Sequence, residues 1–197
     1  AGAPFTIASY LIEGGPSKDY AKTRALMRTP AWPKLMEKLS DAVAAHLRAQ
    51  EAAGADIVQL FDSWVGNLSP AEYREFVLPW SRRILSSIRG PSIHFGTKTG
   101  PLLELIREAG GDVIGVDTVT PLDEARNRLG ECAVQGNLDP EALYLPKEEL
   151  LRKVDDVLKR AGPKPGHIFN LGHGITPKTP MESLDWVIEH VHQRTRS

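Results

Sequence analysis

Apolar positions along the chain fall into two alternating patterns. Short runs rich in β-branched and aromatic residues predict six strands: Phe5 to Ala8, Asp56 to Phe61, Ser92 to Phe95, Val113 to Asp117, Cys132 to Gly136 and His167 to Asn170. Longer stretches of helical period lie between them. Leu35, Leu39, Val43 and Leu47 recur every four residues after Pro33, which suits a first helical position, and the run stops at Gly54. Leu150, Leu151, Val154, Val157 and Leu158 form one stripe ending near Gly162. Ser69-Pro70-Ala71-Glu72 and Thr179-Pro180-Met181-Glu182 read as capping boxes. Strand–helix alternation predicts a parallel sheet with right-handed crossovers. With no internal repeat, low-complexity tract or linker in view, the expectation is a single domain over residues 1–197.

Two parallel architectures compete. An open doubly wound sheet usually carries a glycine-rich turn after its first strand. Here the nearest candidates, Glu13-Gly14-Gly15-Pro16 and Gly96-Thr97-Lys98-Thr99-Gly100, fit neither G-x-G-x-x-G nor the phosphate loop. A (β/α)₈ barrel usually needs about 250 residues, and six units cannot close one. The reading that accommodates both facts is an incomplete (β/α)₈ TIM barrel of about six βα units with the first strands missing.

Composition narrows the function classes. Of 197 residues, 41% are apolar and 25% charged, and Lys+Arg 24 against Asp+Glu 25 leaves a formal charge of -1. Nucleic acid or an anionic membrane would call for a basic surplus, so neither is expected as a partner. One cysteine, Cys132, excludes an internal disulfide and any multi-cysteine metal centre, and no metal site is expected. No apolar run approaches the roughly 20 residues of a membrane span, and Ala1-Gly2-Ala3-Pro4 lacks a basic n-region, so no signal peptide is expected. A soluble protein of a reducing compartment, the cytoplasm, is the expectation.

Polar residues follow nearly every predicted strand, where parallel α/β folds gather their chemistry. They are Ser9, Tyr10 and Glu13; Asp62, Ser63, Trp64 and Asn67; His94 and Lys98; Asp117; Gln135 to Pro140; and Asn170 to Gly174. All are expected to point into one mouth. Plainer roles stand beside this one. Tyr10 also suits a core tyrosine and Ser63 a turn, while Asn137 and Asp139 suit a turn and helix start. Asp117 suits a helix cap, and Cys132 a core position. Lys98 suits a Schiff base, a cation for a carboxylate, or a solvated chain. His173 differs, since flanking glycines let backbone and imidazole approach a ligand closely. His46, His190 and His192 fall within predicted helices. No G-x-S-x-G elbow or H-E-x-x-H pair is present, which points to chemistry without an enzyme-bound cofactor.

Several segments, in order, carry a resemblance. They are Gly2-Ala3-Pro4-Phe5-Thr6 through Ser9-Tyr10-Leu11-Ile12-Glu13-Gly14-Gly15, then Gln59-Leu60-Phe61-Asp62-Ser63-Trp64-Val65-Gly66, His94-Phe95-Gly96-Thr97, Gln135-Gly136-Asn137-Leu138-Asp139-Pro140 and Asn170-Leu171-Gly172-His173-Gly174. Over essentially all its length the chain resembles the uroporphyrinogen decarboxylase family of haem (tetrapyrrole) biosynthesis. The resemblance implies a (β/α)₈ barrel, a homodimer, and a carboxy-lyase that needs no cofactor. It implies decarboxylation of the four acetate side chains of uroporphyrinogen III, giving coproporphyrinogen III. Tyr10, Ser63 and His173 match the family's substrate-binding tyrosine, hydroxyl residue and histidine. The family's central aspartate and the arginines proposed as its acid catalysts have no counterpart here, so the catalytic residues are unassigned and the isolated chain is expected to be inactive. Two rivals remain: a non-catalytic porphyrinogen-binding fragment, and a methyltransferase of the same superfamily. The second would need a thiolate zinc site, but the corresponding place reads His94-Phe95-Gly96.

Overall fold

The computed structural model describes residues 1–15 and 17–195. Pro16, the last residue of the Glu13-Gly14-Gly15-Pro16 candidate turn, lies outside the described residues. The chain divides into two compact units, Ala1–Ile114 and Gly115–Ser197.

The first unit holds α1 (Pro4–Glu13), α2 (Ala21–Met27), α3 (Ala31–Ala52), β1 (Val58–Phe61), α4 (Pro70–Phe76), α5 (Leu78–Leu85), β2 (Ser92–Phe95), α6 (Leu103–Ala109) and most of β3 (Val113–Gly115). β1 and β2 are parallel, with Leu60 opposite His94 and Phe61 opposite Phe95. Side chains alternate across a strand, so Val58 and Leu60 share one face. That face packs with Val43, Ala44 and Leu47 of α3 and Ile84 and Leu85 of α5. Gln59 and Phe61 occupy the other face, where Phe61 is still 40% exposed.

Two readings need correction here. The run Phe5 to Ala8 is helix, not strand: Pro4 opens α1, and Gly14 closes it in the left-handed region at φ 73°, its N–H donating to the Tyr10 carbonyl at 3.1 Å. A short apolar run does not distinguish a buried strand from a helix, and a proline in the first turn decides for the helix. The strand-like segment sits just before it. Ala3 N–H donates to the Phe61 carbonyl and Phe61 N–H to the Ala1 carbonyl, both at 2.8 Å, in a parallel bridge between Gly2 and Phe61. Pro33, the expected first helical residue, stands third in α3, after Ala31 and Trp32. The helix buries Trp32, Met36, Ser40, Val43, Ala44 and Leu47, while Leu35 and Leu39 are half-buried. A strict four-residue spacing drifts about 40° per step around a helix of 3.6 residues per turn, so it cannot hold one face.

The second unit holds the end of β3, α7 (Leu122–Leu129), β4 (Ala133–Gln135), α8 (Lys147–Ala161), β5 (His167–Ile168) and α9 (Met181–Thr195). Val116 N–H donates to the Gln135 carbonyl at 2.8 Å, and β4 runs parallel to β5 with Gln135 opposite Ile168. The stripe of α8 buries Leu150, Val154, Val157 and Ala161, and Gly162 ends the helix at φ 74°. Cys132 lies just before β4 and is half-buried rather than core. Five strands, rather than six, are therefore present among the described residues.

Candidate functional site

In the first unit the site is built where α1 meets the loop after β1. Tyr10 sits in the last turn of α1 and is 56% exposed, so it is not a core tyrosine. Its ring lies against Trp64 at 4.0 Å between centroids, the planes 41° apart. Tyr20 is buried at 5.2 Å from the same indole. Burial first, and then the charges of Tyr10 and Glu13, raise the Tyr20 hydroxyl above its ordinary range, so the ring stays neutral. Glu13 accepts from the Thr23 N–H at 2.9 Å and the Thr23 hydroxyl at 2.8 Å, which ties α1 to α2.

Ser63 precedes Trp64, and its backbone is held from outside β1. Its carbonyl accepts from the Thr97 hydroxyl. The neighbouring Asp62 is fully buried, donating through its N–H to the Phe95 carbonyl at 2.6 Å. Asp62 Oδ2 accepts from the Ser81 hydroxyl at 3.0 Å and lies 3.3 Å from His94 Nε2. His94 Nδ1 faces the Ile106 carbonyl at 3.2 Å. Both ring nitrogens therefore point at acceptors. Burial, and then the Asp62 charge, push the nearby Tyr73 hydroxyl well above its ordinary range, with Ser81 opposing them.

Asp62 and His94 thus do not point into an open mouth, as the sequence reading expects of every polar strand end. His94 shares a strand face with Ser92 and Leu60, and that face looks toward the helices. Lys98 is exposed and takes a left-handed φ of 56°.

In the second unit the polar strand ends divide in the same way. Asn137 is buried and donates through Nδ2 to the carbonyls of Asp117 and Thr120, at 2.8 and 2.7 Å. Asp139 caps the 3₁₀ turn Pro140–Tyr144 by accepting from the Glu141 N–H at 3.0 Å. These two take the turn and helix-start roles. Asp117 caps no helix: it is buried and accepts from the Val119 N–H at 3.2 Å within its own turn. His173 remains exposed, with Nδ1 3.0 Å from the Gly174 carbonyl. Gly172 seats this loop. A Cβ there would lie 2.6 Å from the Thr118 nitrogen, so only glycine permits so close an approach.

Sequence reasoning places Trp64 among the strand-end residues, but nothing in the spacing shows that its ring meets Tyr10. His167 was read only as the start of a strand. It donates from Nε2 to the Gly136 carbonyl at 2.6 Å, and burial holds its pKa below the usual histidine value.

The family model for uroporphyrinogen decarboxylase matches residues 1–194. The chain belongs to the uroporphyrinogen decarboxylase family. It is 54% identical over 198 residues to the uroporphyrinogen decarboxylase of Thermus thermophilus, covering 98% of this chain and 58% of that protein. The corresponding protein of Sorangium cellulosum is 56% identical over 203 residues, covering 100% of this chain and 58% of its own length. That of Carboxydothermus hydrogenoformans is 49% identical, covering 98% and 57%. The chain therefore spans a little over half the length of the family members it matches. Among solved structures, a methyltransferase from Methanosarcina mazei aligns with a TM-score of 0.83 at 19% identity, over 99% of this chain and 58% of that one. At that identity the likeness speaks for the fold alone. The fold class is α/β, with the strand–helix alternation of an incomplete (β/α)₈ barrel. No described helix is long and apolar enough to cross a membrane.

Proposed function

We propose that this chain supplies part of the substrate site of a uroporphyrinogen decarboxylase, a carboxy-lyase of porphyrin biosynthesis acting on the four acetate side chains of uroporphyrinogen III. The observation that carries the reading is identity of about half to curated uroporphyrinogen decarboxylases over at least 98% of the chain. Losing CO₂ from an acetate arm would strand an electron pair on carbon. Protonation of the pyrrole at an α-carbon makes the ring an acceptor for that pair. The C–C bond then breaks, CO₂ leaves, and the exocyclic carbon takes up a proton to become a methyl group as the α-proton departs. The chemistry needs cations and hydrogen-bond donors for the carboxylates and a carboxylate for the cationic ring. Tyr10 and Ser63 serve as donors to substrate carboxylates, and His173 does the same or positions the ring. The three are suited to this work: among the described residues, the Tyr10 and Ser63 hydroxyls take no hydrogen-bond partner and Tyr10 and His173 are exposed. The protein acts as a cytoplasmic homodimer, and the 197-residue chain by itself turns over no substrate.

The test is conversion of reduced uroporphyrinogen III to coproporphyrinogen by the complete protein, with Tyr10→Phe, Ser63→Ala and His173→Asn alongside. Each variant is expected to lower kcat/KM about ten-fold or more, the scale of a hydrogen bond to a charged group. No conversion by the complete protein would overturn the activity, and unchanged kcat/KM in all three variants would overturn the site. Turnover by the isolated 21.7 kDa chain would overturn its inactivity. A binding protein without chemistry would show tight porphyrinogen binding without decarboxylation in a chain shown to be naturally this short.

A further inference from the structure

The backbone at Ser63 is held by the elements behind it. The Thr97 hydroxyl donates to the Ser63 carbonyl, and Asp62 N–H donates to the Phe95 carbonyl. The Asp62 side chain is anchored by Ser81 and His94, all three fully buried, and His94 is anchored in turn by the Ile106 carbonyl. Glycines let the two loops touch backbone to backbone. A Cβ on Gly66 would lie 2.2 Å from the Thr97 carbonyl oxygen, and one on Gly96 would lie 2.9 Å from the Asp62 carbonyl oxygen. These contacts engage the main chain of Ser63 and its neighbour. They leave the Ser63 hydroxyl with no hydrogen-bond partner among the described residues. Asp62 Oδ1, buried and facing no donor, adds to the polar cost of keeping the pair where it is. A buried carboxylate with one unpaired oxygen is weak evidence for stability, and this one stands beside Ser63 and fixes the backbone there.

We infer that Thr97, backed by the buried Asp62–His94 pair, is the positioning residue that sets the Ser63 hydroxyl for substrate. The inference rests on the proposed role of Ser63 as a substrate donor. Thr97 touches no substrate; it acts through the Ser63 carbonyl. A hydroxyl on a short side chain turns with its own backbone, and a small misplacement of a donor weakens the bond it makes to a carboxylate.

A double-mutant cycle on the complete protein tests this, read as KM and kcat for uroporphyrinogen III with Thr97→Val, Thr97→Ser, Ser63→Ala and the Thr97→Val/Ser63→Ala pair. Thr97→Val is expected to raise KM about five-fold, the loss of one ordinary hydrogen bond, with kcat nearly unchanged. Thr97→Ser, which keeps the donor, is expected to restore the parent KM. In the Ser63→Ala background, Thr97→Val is expected to change KM by less than about two-fold, because its route to substrate is gone. An equal KM rise in both backgrounds, or none in either, overturns the inference and leaves the role of Ser63 standing. An unchanged KM in Ser63→Ala alone overturns the substrate-binding reading, and the inference falls with it. His94→Gln is carried through the same cycle, so a Thr97→Val protein that failed to fold would leave the question decided by the second pair.

Discussion

Tyr10 and Trp64 stack at 4.0 Å between ring centroids, which joins the end of α1 to the residue that follows Ser63. The contact gives an exposed tyrosine a defined direction. Tilted aromatic pairs contribute about 0.5–1.5 kcal/mol beyond the area they bury. Trp64→Ala is therefore expected to lower kcat/KM for uroporphyrinogen III about three- to ten-fold, while Trp64→Phe retains most of it. Steady-state kinetics on the complete protein check this, and equal losses in the two variants would refute it.

Glycine tolerance should divide sharply by position. Cβ atoms on Gly66 and Gly172 would fall 2.2 Å and 2.6 Å from backbone atoms of Thr97 and Thr118, whereas nothing lies within 4 Å of one on Gly15. Gly66→Ala and Gly172→Ala are each expected to destabilise by about 1–3 kcal/mol, as overpacking does, and Gly15→Ala to be near neutral. Urea denaturation of the three variants decides it.

Glu72 stabilises the first unit above the acidic range. It completes the capping box of α4, with the Ser69 N–H donating to Glu72 Oε2 at 3.0 Å and the Glu72 N–H to the Ser69 hydroxyl at 3.3 Å. It also pairs with Arg24. Burial pulls its pKa upward, but the Ser69 and Arg24 hydrogen bonds outweigh that and hold it below the usual carboxylate value. A carboxyl with a lowered folded pKa contributes stability that is present above its unfolded pKa and lost as pH falls through the folded one. Glu72→Gln is expected to cost about 1 kcal/mol at pH 7. The difference should shrink toward pH 3, measured by denaturant melts across that range.

His167 carries the same sign in a different pH window. Burial first, and then Arg126, lower its pKa against the pull of the Gly136 carbonyl, so the ring is neutral in the folded chain. The unfolded chain then binds the extra proton, and stability is present above the ordinary histidine pKa and lost as pH falls below it. Between pH 8 and pH 5 the parent protein should lose more stability than His167→Gln. Equal losses in melts at the two values would contradict the lowered pKa.

Much of the fold was legible in sequence because its signals are local. β2 runs over Ser92–Phe95 as expected, the Ser69 capping box forms in full, and the α8 stripe ends at Gly162. The motifs around Tyr10, Ser63 and His173 sufficed for the family. Errors came where one short pattern serves two structures. Phe5 to Ala8 has the composition of a strand, yet Pro4 and Gly14 bracket it as a helix.

Residue types and spacing determined the alternation of strands and helices, while the resemblance of the motifs supplied the family and the candidates for substrate. Only the tertiary structure decided which polar strand ends turn inward. Asp62 and His94 look like site residues in sequence, but strand alternation sends His94 to the helix side, where it meets Asp62, Ser81 and the Ile106 carbonyl. Likewise, Tyr10 and Trp64 are 54 positions apart in the chain, and no local period brings such residues together. Pairing at that distance is settled by packing, which chooses the face of a strand and the turn of a helix that no short window of sequence contains.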